Sequence, residues 1–166
     1  MYKTINDFVN DWKNESESTL KIFKSLTDAS LSQKVTAEGR TLGFLAWHIA
    51  LTLGEMCAKA GLTIDAPTEN SPEPTSAAVI AAAYEKAAKS IGDDVQKKWS
   101  DAMLKEEIEM YGEKWTRSAA LASLVKHEVH HRAQMTILMR QAGLKVPGVY
   151  GPAKEEWAQY GMPPMK

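Results

Sequence analysis

The sequence predicts an all-α protein, a four-helix bundle, and three observations predict it. Apolar residues recur at three- and four-residue steps through four long stretches. Side chains able to cap a helix stand before several of these stretches, and glycines stand just past the ends of two. Strand-like alternation is almost absent. Four amphipathic helices with so little strand signal find a common core most simply as a bundle. At 166 residues the chain can bury that core as one domain, residues 1–166, without disulfides or a structural metal.

The first helix is expected over roughly residues 2–28, with Ile5, Phe8, Val9, Trp12, Thr19, Leu20, Phe23 and Leu26 forming its apolar stripe. Its polar middle, Asn14 to Ser18, reads as mostly a solvated face. The second runs from Thr41, a suitable N-cap, to Ala60, with Gly61 in the left-handed position that ends it. A loop rich in Pro, Asp, Asn, Ser and Thr follows from Leu62 to Pro74. The third helix starts near Thr75 or Ser76 and carries Val79, Ile80, Ala83, Tyr84, Ala87 and Ile91 on one stripe. Gly92 is expected to end or kink it, with a further turn toward Trp99. Residues 100–115 alternate briefly at Glu107 to Tyr111 and are expected to form an ordered loop. Thr116 caps a fourth helix to Gln141, with Gly143 past its end, and the Val146–Pro152 tail cannot continue it. That tail is apolar enough to pack back on the bundle. The long stretch between the third and fourth helices leaves room for a crossover.

Composition excludes several classes of function. The chain is 44% hydrophobic and 25% charged, as ordinary globular proteins are. Twenty Lys and Arg against 21 Asp and Glu leave a formal charge of −1, which offers no bulk attraction to nucleic acid or anionic membranes. No run reaches the length needed to span a bilayer, and the first residues lack an apolar signal-peptide core. Cys57, the one cysteine, allows no internal disulfide and reads as a small core residue. These features predict a cytoplasmic protein without nucleic-acid or membrane binding.

All four histidines fall on predicted helices. At about 100° per residue, His131 lies only about 40° from His127, so both imidazoles can reach one ion. Ala120, Leu124, Gln134 and Leu138 share that face, which therefore points into the bundle. His130 sits at the edge of the face and is a poorer partner. His48 lies within the apolar run Phe44 to Leu51. Alone, such a histidine is ordinarily a satisfied core residue; beside a His127/His131 pair, a shared metal would satisfy all three rings, and spacing leaves both readings open. Gln134, one turn past His131, either orients a group at the site or makes a plain interhelical hydrogen bond. Glu55, seven residues past His48, either lines the pocket mouth or is solvated. Trp47, Trp115 and Tyr150 read as packing.

The run His127-Glu128-Val129-His130-His131 matches the H-E-x-x-H pattern of zinc proteases, which would make Glu128 a general base. The extended form of that motif needs Gly and His where this chain has Gln134 and Ile137. Only Glu155 and Glu156 are left as later acidic ligands, and the chain offers almost no edge strand for a peptide. The match reads as coincidence.

The stretch Leu124 to Gln134, followed by Leu138-Met139-Arg140-Gln141-Ala142-Gly143 and by Val146-Pro147 to Tyr150-Gly151-Pro152, resembles the C-terminal signature of the DinB/YfiT-like family. Gly39-Arg40-Thr41 through Ala50 resembles the second-helix motif of that family, named for damage-inducible genes. The resemblance spans essentially the whole chain; Ala133, where the family often has Gly, is a visible departure. It implies an up-down-down-up bundle, often a homodimer. It also implies one divalent metal ion per chain, zinc or nickel, on His48, His127 and His131. Two classes of function follow. One is a metal-dependent transferase that activates a low-molecular-weight thiol, as co-substrate, toward a small electrophile. The other is a non-catalytic metal- or ligand-binding stress-response protein. A metal-dependent hydrolase is a lesser alternative.

Overall fold

A computed structural model describes residues 1–164; residues 165 and 166, the last two of the expected domain, lie outside the described residues. Four helices carry the fold: α1 (Ile5–Lys24), α2 (Leu42–Lys59), α3 (Ala77–Lys98) and α4 (Arg117–Gln141). Thr4 starts α1 with a capping box, its hydroxyl accepting from the Asp7 N–H while the Asp7 carboxylate accepts from the Thr4 N–H. Thr41 and Thr116 cap α2 and α4 through their hydroxyls as the sequence predicts. The α3 N-terminus is capped from a distance: Asp28, in a short 3-10 turn after α1, accepts from the Ala77 N–H at 2.7 Å.

Helix directions follow from paired residues. Trp12 donates to the Ala88 carbonyl while Lys24 meets Glu85, and the Ile5 N–H reaches Asp101, so α1 and α3 run antiparallel. Ser118 bonds the Tyr2 carbonyl and Arg132 bonds Glu15, so α1 and α4 run parallel. Arg117 meets the Ala60 carbonyl at one end of α2, and His127 and His131 meet His48 near the other, so α2 and α4 are antiparallel. The order is up-down-down-up. Around the bundle the helices neighbour each other as α1, α3, α2, α4, so chain-consecutive α1–α2 and α3–α4 stand diagonally.

Three expectations are corrected. The crossover lies between α2 and α3, not between α3 and α4: two parallel neighbours need a connection that returns along the bundle, and the Leu62–Ser76 stretch supplies it. Residues 100–115 are not a loop. They form a 3-10 turn, Asp101–Lys105, and an antiparallel hairpin of β1 (Glu107–Met110) and β2 (Glu113–Thr116). Tyr111 and Gly112 both have positive φ, 54° and 83°, which suits the right-handed twist of a two-residue hairpin, and Met110 anchors β1 in the core. Finally, α3 does not end at Gly92 but runs on to Lys98, with Gly92 facing the Trp12 ring.

The core is continuous across the four helices and includes Phe8, Trp12, Phe23, Leu42, Tyr84, Met110 and Met135. Cys57 is buried in it, and burial pushes its thiol up to about 12. Past Gly143 the chain folds back, with Val146 buried and Glu156 accepting from the Gly148 and Ala153 N–H groups. No helix among the described residues is long and apolar enough to cross a membrane.

Candidate metal centre

Helix α4 turns two stripes inward. Ala120, Leu124, His127, His131 and Leu138 face α2, while Ser118, Leu121, Val125, Glu128, Arg132, Met135 and Met139 form a second stripe at heptad spacing. On the first stripe the four-residue step stacks His127 and His131, and antiparallel packing of α2 brings His48 to them. The Nε2 of His127 lies 3.2 Å from the Nε2 of His48 and 3.2 Å from the Nε2 of His131. All three donor atoms lie within 4.8 Å of one another. Phe44, one turn before His48, lies flat against its ring at 5.8 Å. His131 is buried and the other two rings half-buried.

Gln134 sets the tautomer of His131. Its Oε1 lies 2.8 Å from the His131 Nδ1, so that nitrogen carries the proton and leaves the His131 Nε2 lone pair facing the cluster. Its amide then donates to the Nε2 of exposed His130 at 3.0 Å. His130 therefore stands one bond behind His131 and turns no donor into the cluster. Glu55 is two turns along α2, beside Tyr111 at the hairpin tip; burial and the Glu55 carboxylate push the Tyr111 hydroxyl up to about 12.

Electrostatics keep the imidazoles neutral. Burial, then the charges of His131, His48 and His130, pushes His127 down to about 4. Burial likewise lowers His48, with His131 and Arg40 adding to it. It lowers His131 too, against the bond from Gln134 and with His130 and Arg40. Three neutral rings aimed at one point cannot satisfy each other, because one N–H placed among three Nε2 atoms serves one acceptor. A cation serves all three. The donor set fits a divalent ion of the borderline kind that imidazole prefers, and the three histidines form a cluster able to coordinate one.

Glu128, the candidate base of the protease pattern, faces away. It is 1% exposed on the second stripe, where its Oε1 accepts from Thr19 at 2.8 Å and from Tyr84 at 3.0 Å. Burial pushes it up to about 7, against the opposing pull of Thr19, Tyr84 and Arg132. Arg132 beside it donates to the Glu15 carboxylate at 2.7 Å, to the Glu15 carbonyl and Thr19 at 3.0 Å, and to the Tyr150 hydroxyl at 2.7 Å. This network corrects two readings. Glu15 is a buried ion-pair partner and not part of a solvated face; its place in the 8, 12, 15, 19, 22 stripe of α1 was the signal for that. Tyr150, read as packing, is largely exposed and anchors the tail through its hydroxyl, with the Arg132 guanidinium over its ring. Trp47 is buried and donates to the Ser71 carbonyl, and Trp115 is half-buried on β2.

Comparison with known proteins places the sequence and the fold. The sequence model of the DinB family matches residues 1–164. An uncharacterized protein, YrdA, of Bacillus subtilis (strain 168) is 44% identical over 162 residues, covering 98% of this chain and 97% of that one. The crystal structure of a DinB-like protein from Bacillus cereus ATCC 10987 superimposes with a TM-score of 0.87 at 43% identity, covering 90% of this chain and all of that one (100%). A DinB-like protein from Bacillus subtilis, YjoA, matches with a TM-score of 0.67 over 86% of this chain and 97% of its own; at 18% identity it shows the fold alone.

Proposed function

The chain belongs to the DinB family, and from that premise we propose that it holds one divalent metal ion, zinc or nickel, on His48, His127 and His131. The protein then acts as a metal-dependent transferase of the thiol S-transferase type on a small electrophile. The observation that carries this reading is the convergence of three neutral Nε2 atoms from two antiparallel helices. Three protein ligands fall one short of the closed four-ligand shell of structural zinc, as in catalytic sites. A bound divalent ion would lower the pKa of a thiol at that position and favour the thiolate, which is the nucleophile.

The chain's own residues supply the rest. Gln134 holds His131 in the tautomer that presents Nε2, and Phe44 fixes the plane of His48. A cavity of about 410 Å³ is joined to the cluster through Gln134, which stands in its wall while the three histidines do not, and it is room for a small molecule. That cavity favours the transferase over a purely metal-sequestering stress protein. A hydrolase would need a base at the ion, and Glu128 is buried on the other stripe. The homodimer expected of the family belongs to the same reading and is checked by sedimentation.

Two measurements test the proposal. Metal analysis of protein purified without added metal should give about one ion per chain, lost in His127→Ala. The loaded protein should then join a low-molecular-weight thiol to a chloro-substituted model electrophile, forming the S–C bond and releasing chloride faster than His127→Ala does. Metal uptake without conjugation of any cellular thiol leaves the binding-protein reading; absence of uptake on reconstitution removes both.

A further inference from the structure

Of the four arginines in the chain, three are paired with carboxylates: Arg117 with Glu106, Arg132 with Glu15 and Arg140 with Glu155. Arg40 has no carboxylate partner among the described residues. Its guanidinium is nevertheless held in place, 4.9 Å from the centroid of the Phe44 ring that stacks on His48. Arg40 and Gln134 line the same cavity, whose other walls include Val35, Leu45, Ile137 and Leu138, and no carboxylate among the described residues lines it. Val35 and Ile137 are exposed at 63% and 58%. The groove between α1 and α3 differs: Lys13, Lys89, Glu17 and Glu85 rim it, so its charges can answer one another.

We propose that this cavity is the subsite for an amphipathic small molecule with an anionic head, the oxyanion pairing with Arg40 and a short apolar body lying along Leu45, Ile137 and Leu138. The inference deepens the metal reading and rests on it for the ligand's other end, which would reach past Gln134 to the histidine cluster. A planar guanidinium with free N–H groups pairs with two oxygens of a carboxylate or phosphate at once. An ion on three neutral imidazoles adds positive charge that no acidic residue of the cavity wall offsets, so anions are favoured over cations. Arg40 is here a specificity-determining residue that meets the ligand's head and takes no part in bond making or breaking.

The test uses the full-length protein with metal content measured on every sample. Hexanoate, hexyl phosphate and hexylamine are titrated, and backbone amide shifts are followed by NMR. At least one of the two acids should shift amides of residues 40–45 and 134–138 saturably, and hexylamine should not; the tighter acid identifies the head group. Arg40→Gln should weaken the acid by at least about tenfold, the usual worth of a charge-assisted pair, and Arg40→Lys should recover part of it. Arg40 is exposed, and an unchanged melting temperature checks that its variants fold. Equal affinity in wild type and Arg40→Gln, or no binding of either acid, overturns the inference while metal content stands by itself. Arg40-dependent binding to a protein that takes up no metal supports the anion subsite and removes the metal reading.

Discussion

The two inward stripes of α4 carry two polar clusters back to back, and they handle burial in opposite ways. Facing α1 and α3, donors meet acceptors: Arg132 spends its N–H groups on Glu15, Thr19 and Tyr150, and Glu128 receives Thr19 and Tyr84. Facing α2, like meets like, with three imidazole nitrogens turned toward one point. The first cluster is nearly complete within the protein; its one buried polar side-chain atom without a partner, among the described residues, is the Glu128 Oε2. The second is completed only by something that accepts three lone pairs. A buried polar group that pairs internally serves the fold, whereas a set of matched acceptors points outward to a ligand.

Breaking the paired side should give the largest change in stability. Arg132→Ala leaves Glu15 buried beside no cation and should cost about 3–5 kcal/mol in urea denaturation. His127→Ala in metal-free protein should cost far less, because it removes one of three mutually unsatisfied rings. Equal costs would show that the histidine face is structural too.

The next effect falls on metal affinity. Gln134→Ala frees His131 to change tautomer, and should weaken metal binding about 10- to 100-fold in competition with a chelator, leaving metal-free stability nearly unchanged.

The two faces should also respond to pH with opposite sign. His127 is pushed down to about 4 from an ordinary 6.5. Between those values the unfolded chain binds more protons, so its contribution is complete above 6.5 and is lost as pH falls toward 4. Glu128 is pushed up to about 7 from an ordinary 4.5. There the folded chain binds more protons, so its contribution is complete below 4.5 and is lost as pH rises through 7. In metal-free protein the two oppose one another. Stability of Glu128→Gln should therefore climb more steeply from pH 4.5 to 7 than wild type, and that of His127→Ala should climb less or fall. Parallel profiles for the two variants would contradict the assignment. The smallest change is expected from His130→Ala, whose ring sits behind Gln134; metal stoichiometry by mass spectrometry should stay as in wild type.

Much of this was legible in the sequence. Threonine caps fixed the starts of α2 and α4, and the four-residue step put His127 and His131 on one face. Direction came from the resemblance, which implied the up-down-down-up order, and not from the pattern of residues. Nothing in the Leu62–Ser76 composition says that it returns along the bundle, so composition and periodicity alone left the partner of each helix hidden. With it stayed hidden the convergence of His48, which resemblance and not spacing linked to the α4 pair. Glu15 was misread because a charge in a polar run looks solvated until Arg132, 117 positions away, is seen beside it. The hairpin was missed because four-residue strands give too short a period to outweigh a loop, although Gly112-Glu113 had the composition of a turn. Arg40 stood in the second-helix motif without a role of its own, since an exposed arginine means little until the ring and cavity beneath it are known.

The diagonal placement of chain-consecutive helices has a consequence for how the molecule can be divided. A cut in the Pro-rich crossover would leave one fragment with α1 and α2 and another with α3 and α4. Every extensive helix–helix packing joins one fragment to the other, so neither half owns a core. His48 would travel with the first, His127 and His131 with the second. Such halves should be unfolded apart and fold only on meeting, which makes reassembly of the cluster a readout of complementation between them.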